Sequence, residues 1–328
     1  MSAVDVKQAA ATTLGGIRAR PISAGRDTVW QRIYRDRLML LFIMPGVLFF
    51  ILFRYLPLLG NVIAFQDYLP FIPIVDSPFV GFANFGAMLN DSAFWQATAN
   101  TIIIALLQIV FYFPMPIILA LMLHGIISTR IRRIIQSVVY LPHFISWVIV
   151  VALWQQVLGG SGIVVHTLRD LGLPAINVMT EPGLYKGLVT AQQIWRETGY
   201  ATIIFLAALL NIDSALYEAA VVDGAGRWQR LWYVTLPGLV GVMMLLLILR
   251  LGLILSSVGG FEQLLLQRNA VGPAAGEVLD TYVYFKGIVG GQWGITAAAG
   301  LIKGIIGTII VIAANKFAHR LGQEGVYS

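Results

Sequence analysis

Asp213-Ser-Ala-Leu-Tyr-Glu218-Ala219-Ala220-Val-Val-Asp223-Gly224-Ala-Gly226-Arg-Trp228-Gln-Arg230-Leu231-Trp232-Tyr-Val234-Thr-Leu236-Pro237 is the stretch on which the fold turns. It reads as two short helices with a turn between them. Asp213 or Ser214 can cap the first by accepting backbone N–H bonds. Gly224 suits the left-handed residue that ends it. Trp228, Leu231 and Trp232 recur at i, i+3, i+4, one face of the second. Pro237 stands where a helix restarts and a missing N–H costs nothing. This is a compact, aromatic-rich knob, a surface made to be held by a partner.

The chain around the knob is too apolar for a soluble protein. Hydrophobic residues make up 58% of it and charged ones 12%, and mean hydropathy is +0.80. Such a surplus of apolar surface needs lipid. Six segments approach the roughly 20 residues that a helix needs to cross a bilayer: 38–60, 101–123, 137–158, 186–210, 239–260 and 293–315. Helices are expected because lipid offers no partner for backbone N–H and C=O groups. Pro114 and Pro116 fall in the second and Pro142 opens the third. The fourth is the least apolar, interrupted by Gln192, Gln193, Arg196 and Glu197.

Orientation follows from Lys and Arg. Fourteen of them lie on one side: seven in the first 37 residues, then Arg130, Arg132, Arg133, Arg227, Arg230, Lys316 and Arg320. The opposite loops hold Arg169, Lys186, Arg268 and Lys286, and the longest, 61–97, holds none. The positive-inside rule places both termini and the knob in the cytoplasm. The formal charge of +6 therefore belongs to topology, and no nucleic-acid partner is expected. The domains expected are a basic cytoplasmic leader over 1–37, a membrane domain over 38–315 with its cytoplasmic loop at 211–238, and a cytoplasmic tail over 316–328. Trp30, Ile33 and Tyr34, at helical spacing among arginines, suggest an interfacial helix over 26–37.

The pattern E-A-A-x3-G-x9-V-x-L-P over Glu218–Pro237 resembles the EAA loop of ABC importer permeases, with Val234 where the family usually has Ile. Further motifs extend the resemblance over nearly the whole chain. They are Phe79-Val-Gly-Phe-Ala-Asn-Phe85, Asn100-Thr101, Tyr140-Leu-Pro142, Trp195-Arg-Glu-Thr-Gly199, Gly259-Gly-Phe261-Glu262-Gln263, Asp280-Thr-Tyr282-Val-Tyr284, and Asn315 with Glu324-Gly325-Val-Tyr327. Together they are most similar to the carbohydrate-importer subgroup for complex oligosaccharides, which includes alginate and aldouronate importers. The resemblance implies an all-α membrane protein of about six spans with the ABC type I importer permease fold. It implies a coupling loop in which Glu218, Ala219, Ala220 and Gly224 sit in a groove of an ATPase subunit. Leu236 and Pro237 would anchor that loop to the fifth span. The implied partners are a second homologous permease, two ATPase subunits, an extracytoplasmic solute-binding protein and a carbohydrate, in the bacterial inner membrane. ATP and Mg would be bound on the ATPases, and no cofactor by this chain.

Arg54, Arg196, Arg250 and Lys303 fall within or beside predicted spans, with Glu197 the one acid among them. Charges at such depth should face protein or water rather than lipid. Two readings stand. A path lined by Trp195, Arg196, Arg250 and Lys303 would suit a sugar bearing carboxylates; alternatively these cations snorkel or pair structurally. Glu262 and Asp280 lie at the outer ends of the last spans, suited to touching a binding protein or to capping.

Other functions find little support. There is no cysteine and no Gly-Lys pair, hence no thiol chemistry and no Walker A loop. His124, His143, His166 and His319 are scattered, without metal-ligand spacing. A secondary transporter would need an internal repeat and mid-membrane carboxylates, and an intramembrane enzyme a nucleophile–base pair. Neither pattern is found.

Overall fold

The computed structural model describes residues 34–256, 260–322 and 325–327. Most of the expected interfacial helix over 26–37, with Trp30 and Ile33, lies outside them, as do Gly259 and Glu324. Among the described residues five helical runs are long and apolar enough to span a membrane: Arg37–Phe65 (α1), Ser92–His124, Trp147–Asp170, Arg227–Gly252 and Trp293–Arg320. Tyr185–Leu210, taken with Ser214–Val222 across a bend of 65°, makes a sixth. The polar residues that thin its hydropathy are turned into the protein.

The chain divides into two units, one up to Gly60 and one from Asn61 onward. The first is a helix from Arg37 with a widened, π-type turn at Ile51–Tyr55. In the second, Ala83–Leu89 (α2) leads into α3 (Ser92–His124), and the amphipathic Thr129–Tyr140 (α4) precedes Trp147–Leu158 (α5) and Ile163–Asp170 (α6). Then follow α7 (Tyr185–Leu210), α8 (Ser214–Val222), α9 (Arg227–Gly252), α10 (Phe261–Val271), α11 (Leu279–Tyr282) and α12 (Trp293–Arg320).

Proline explains three of the widened turns. The turns Ile51–Tyr55, Gln108–Tyr112 and Leu231–Thr235 end two residues before Pro57, Pro114 and Pro237. A proline ring collides with the carbonyl four residues back and offers no N–H. Here the residue before each proline donates five back instead, as Phe113 N–H does to the Gln108 carbonyl at 2.9 Å. The helix carries on through the proline. Pro237 therefore does not restart a helix as the sequence suggested; α9 runs unbroken from Arg227 to Gly252. The fifth span begins and ends earlier than 239–260.

The third predicted span, 137–158, is two pieces. Pro142 sits in a 3-10 turn, Leu141–Phe144, that separates α4 from α5. Ser146 then caps α5, its hydroxyl 3.5 Å from the Ile149 N–H. Gly199 of α7 lets α4 cross in contact, since a Cβ there would lie 1.9 Å from the Val139 carbonyl oxygen. Close approach through small residues is how helices gain packing where lipid removes the hydrophobic drive.

One core, Ala120, Phe205, Leu209 and Leu239, ties α3, α7 and α9 in their cytoplasmic halves. Two more lie toward the outer face. One joins Ile104 and Ala105 of α3 to Tyr185, Val189, Leu264, Val271 and Val278. The other joins Met88, Phe94 and Ala97 to Leu255, Leu279, Tyr282 and Ala299.

Candidate functional site: the cytoplasmic knob and the intramembrane charges

The knob folds as its sequence dictates. Asp213, rather than Ser214, caps α8, its Oδ1 accepting from the Ala215 N–H at 2.9 Å. Gly224 ends the helix with φ +75°, and the Ala225 N–H returns to the Ala220 carbonyl at 2.8 Å, a left-handed C-cap. Gly226 N–H is held by Gln229 Oε1 at 2.7 Å. Tyr217 OH and Thr235 Oγ1, 3.0 Å apart, lash α8 to the base of α9. With its backbone satisfied, the knob turns side chains outward: Trp228 is 75% exposed, Trp232 62% and Tyr233 80%. Glu218, Ala219, Gly224 and Pro237 are exposed, and Ala220 and Leu236 half-buried. Leu231 instead turns inward, onto a cavity of about 530 Å³ between the knob and the end of α3.

The deep charges differ from one another. Arg196 and Glu197 form an ion pair, and Arg196 Nε donates to the Ile145 carbonyl at 3.0 Å. Glu197 holds His143 Nδ1 at 2.7 Å. The His143 ring stacks on Tyr200 at 3.9 Å, and the guanidinium lies 4.6 Å from the Trp147 ring centroid. This cluster fills the gap between α4 and α5, where a broken helix leaves a carbonyl needing a donor. Lys303 pairs with Asp280 of α11, which the sequence placed at the outer rim as suited to a binding protein or to capping. Arg250 meets no carboxylate among the described residues. Its guanidinium donates to Gln108 Oε1 and lies 5.0 Å from the Tyr112 ring centroid. Arg54 lies in the first unit, in the widened turn before Pro57. Trp195, 43% exposed, meets Trp154 edge-on at 6.4 Å.

Several polar residues to which the sequence assigned no individual role organise the outer half. Gln192, Gln263 and Gln267 are all buried. Gln192 Oε1 accepts from Gln263 at 2.7 Å and from Gln267 at 2.9 Å, joining α7 to α10. The spacing of Gln263 and Gln267, i and i+4, was the available signal. Asn100 Nδ2 donates to the Ala274 and Glu277 carbonyls at 3.1 and 2.9 Å, and Thr101 Oγ1 accepts from Leu279 N–H at 2.9 Å. Asp91 holds Lys286 and Tyr282. Burial works against ionisation of Asp91, but bonds from Lys286, Tyr282 and the Ala93 N–H outweigh it and keep its pKa below the usual carboxylate value.

Residues 113–323 match the family described as binding-protein-dependent transport system inner membrane component. The polygalacturonan/rhamnogalacturonan transport system permease protein YteP of Bacillus subtilis (strain 168) is 39% identical over 303 residues, 92% of this chain and 94% of that one. Protein LplB of the same organism is 38% identical over 308 residues, 93% of this chain and 96% of its own. Among solved structures, a bacterial alginate ABC transporter in complex with alginate pentasaccharide-bound periplasmic protein contains a chain 36% identical. It superposes with a TM-score of 0.82 over 91% of this chain and 99% of that one.

Proposed function

Because the chain belongs to the binding-protein-dependent transport system inner membrane component family, an ABC importer permease of the bacterial inner membrane, we propose that it carries an acidic oligosaccharide delivered by a solute-binding protein. The observation that carries the transport reading is the knob, an exposed aromatic docking element rooted by Tyr217 and Thr235 in a spanning helix. The substrate class rests on relatives whose names and titles concern polygalacturonan, rhamnogalacturonan and alginate.

In this reading the chain forms half of a pore with a second, homologous permease, and two ATPase subunits dock beneath. Residues 1–37 and 316–328 are its cytoplasmic leader and tail. Glu218, Ala219, Ala220 and Gly224 enter the ATPase groove, while Leu236 and Pro237 transmit its movement into α9. ATP and Mg stay on the partners, and this chain makes or breaks no bond. Closure of the ATPase pair shifts the permease between inward- and outward-open states, because nucleotide binding and the pore state share one coupling free energy.

The test is ATP hydrolysis in proteoliposomes holding the assembled transporter, with binding protein loaded by uronate or neutral oligosaccharides. Uronate-loaded protein should stimulate hydrolysis, and Glu218→Lys or Gly224→Asp should abolish the stimulation at normal membrane abundance. Normal uptake by both variants would sink the coupling role. Stimulation by neutral sugars alone would remove the acidic substrate and leave the importer.

A further inference from the structure

Gln108 and Arg250 meet beside a small cavity inside the bundle. We propose that the notch between them receives a carboxylate of the passing sugar. The proposal rests on the acidic-oligosaccharide reading and locates where the charge is felt.

Gln108 opens the widened turn midway along α3 and is only 1% exposed. Its Oε1 is taken by Arg250, while its buried Nε2 has no hydrogen-bond partner in the protein. A buried amide left unpaired is costly and rare. Both groups line a cavity of about 40 Å³, walled otherwise by Ala105, Ile109, Leu253, Ile254 and Ser256. That exceeds the ~10–15 Å³ that one water needs; it suits a carboxylate and is too small for a sugar ring.

The donors decide the ligand. Arg196 and Lys303 each keep an acid of their own, but Arg250 is held by a neutral amide whose second donor is idle. Two N–H sources face one space: Gln108 Nε2 has no acceptor, and Arg250 has the neutral Gln108 Oε1, with Glu197 acting on it only from farther off; together they complement a two-oxygen anion. The Tyr112 ring beside the guanidinium fixes its plane. A cation at this depth cannot face lipid, so the notch opens toward protein or the pore. A neutral hexose can offer only uncharged hydroxyl oxygens there, which gain less from the guanidinium than a carboxylate does.

The chain contains no cysteine, so Ser256→Cys gives it one thiol beside the notch. In the assembled transporter, trigalacturonate should slow maleimide alkylation of that thiol about tenfold, the weight of one charge-assisted hydrogen bond. Galactotriose should not. Arg250→Gln should remove the protection and Arg250→Lys should keep part of it. If Arg250→Gln fails to assemble, Gln108→Leu serves in its place and should weaken protection. Equal protection by both sugars, protection surviving in Arg250→Gln, or a thiol that trigalacturonate leaves unprotected would each overturn the assignment. If that happens while the unsubstituted transporter still imports trigalacturonate, only the notch is lost. If it imports no uronate at all, the substrate reading falls as well.

Discussion

The knob and the outer cap, the assembly of α2, α10 and α11 over the outer end of α3, satisfy their polar groups in opposite ways. In the knob, bonds are local: Asp213 to Ala215, Gln229 to Gly226, Tyr217 to Thr235. In the cap they join residues 174 to 195 apart in sequence, through Asn100 and Asp91. The knob holds its shape through its own bonds, and Trp228, Trp232 and Tyr233 stand exposed on it. The cap has no such independence. Beside local bonds such as Arg268 to Glu277, Asn100, Thr101 and Asp91 find their partners only when distant segments have already met.

The contrast can be attacked at several strengths. The largest effect should come from Asp280→Ala, which strips Lys303 of its carboxylate. Breaking a fully buried pair from one side costs about 3–5 kcal/mol; this pair is part-buried, so a smaller but marked loss of assembled protein in membrane fractions is expected. Changing both residues to Leu should recover most of it. Asn100→Ala leaves the Ala274 and Glu277 carbonyls unmatched and should cost about 2 kcal/mol, measurable as a lower Tm of the purified transporter. The same loss should speed hydrogen exchange across α10 and α11 together, since they share that clasp. Asp213→Ala removes only a cap, about 1 kcal/mol. Exchange should rise in α8 and leave the cap unchanged; a change in the cap would break the distinction.

The smallest effect concerns pH. The folded pKa of Asp91 lies below the ordinary aspartate value of 3.8. Its contribution is therefore complete above that value and is lost as pH falls through the lower folded one. Tm measured on acidification should fall less steeply for Asp91→Asn than for the unsubstituted protein.

Local features were the legible ones. Asp213, Gly224 and the spacing of the tryptophans announce the knob because caps and turns are decided within a few residues. The apolar runs announce the spans by length alone. Gln192, Arg196 and Glu197 looked like interruptions of a span because hydropathy counts a residue without knowing what it faces. Their partners, Gln263, Gln267, His143 and the Ile145 carbonyl, lie 51 or more residues away. The Lys303 partner, Asp280, was visible but assigned to the rim, because the chain between them bends back. The break at Pro142 was hidden by the uncharged run on either side of it.

The widened turns before Pro57, Pro114 and Pro237 have a geometric consequence of their own. Each acts as a slipped thread on a screw: one surplus residue advances the azimuth of everything beyond it by about 100°. A stripe of side chains drawn along α3 from Thr101 does not continue below Pro114 on the same bearing, nor does one drawn up α9 past Pro237. Removing one residue between 108 and 112 would restore even pitch. It would also swing Asn100 and Thr101 roughly a quarter-turn away from the carbonyls and N–H they now meet. The prolines thus set the compass heading of each half-helix, on α3 for the polar residues of the outer cap and on α9 for the aromatic residues of the knob.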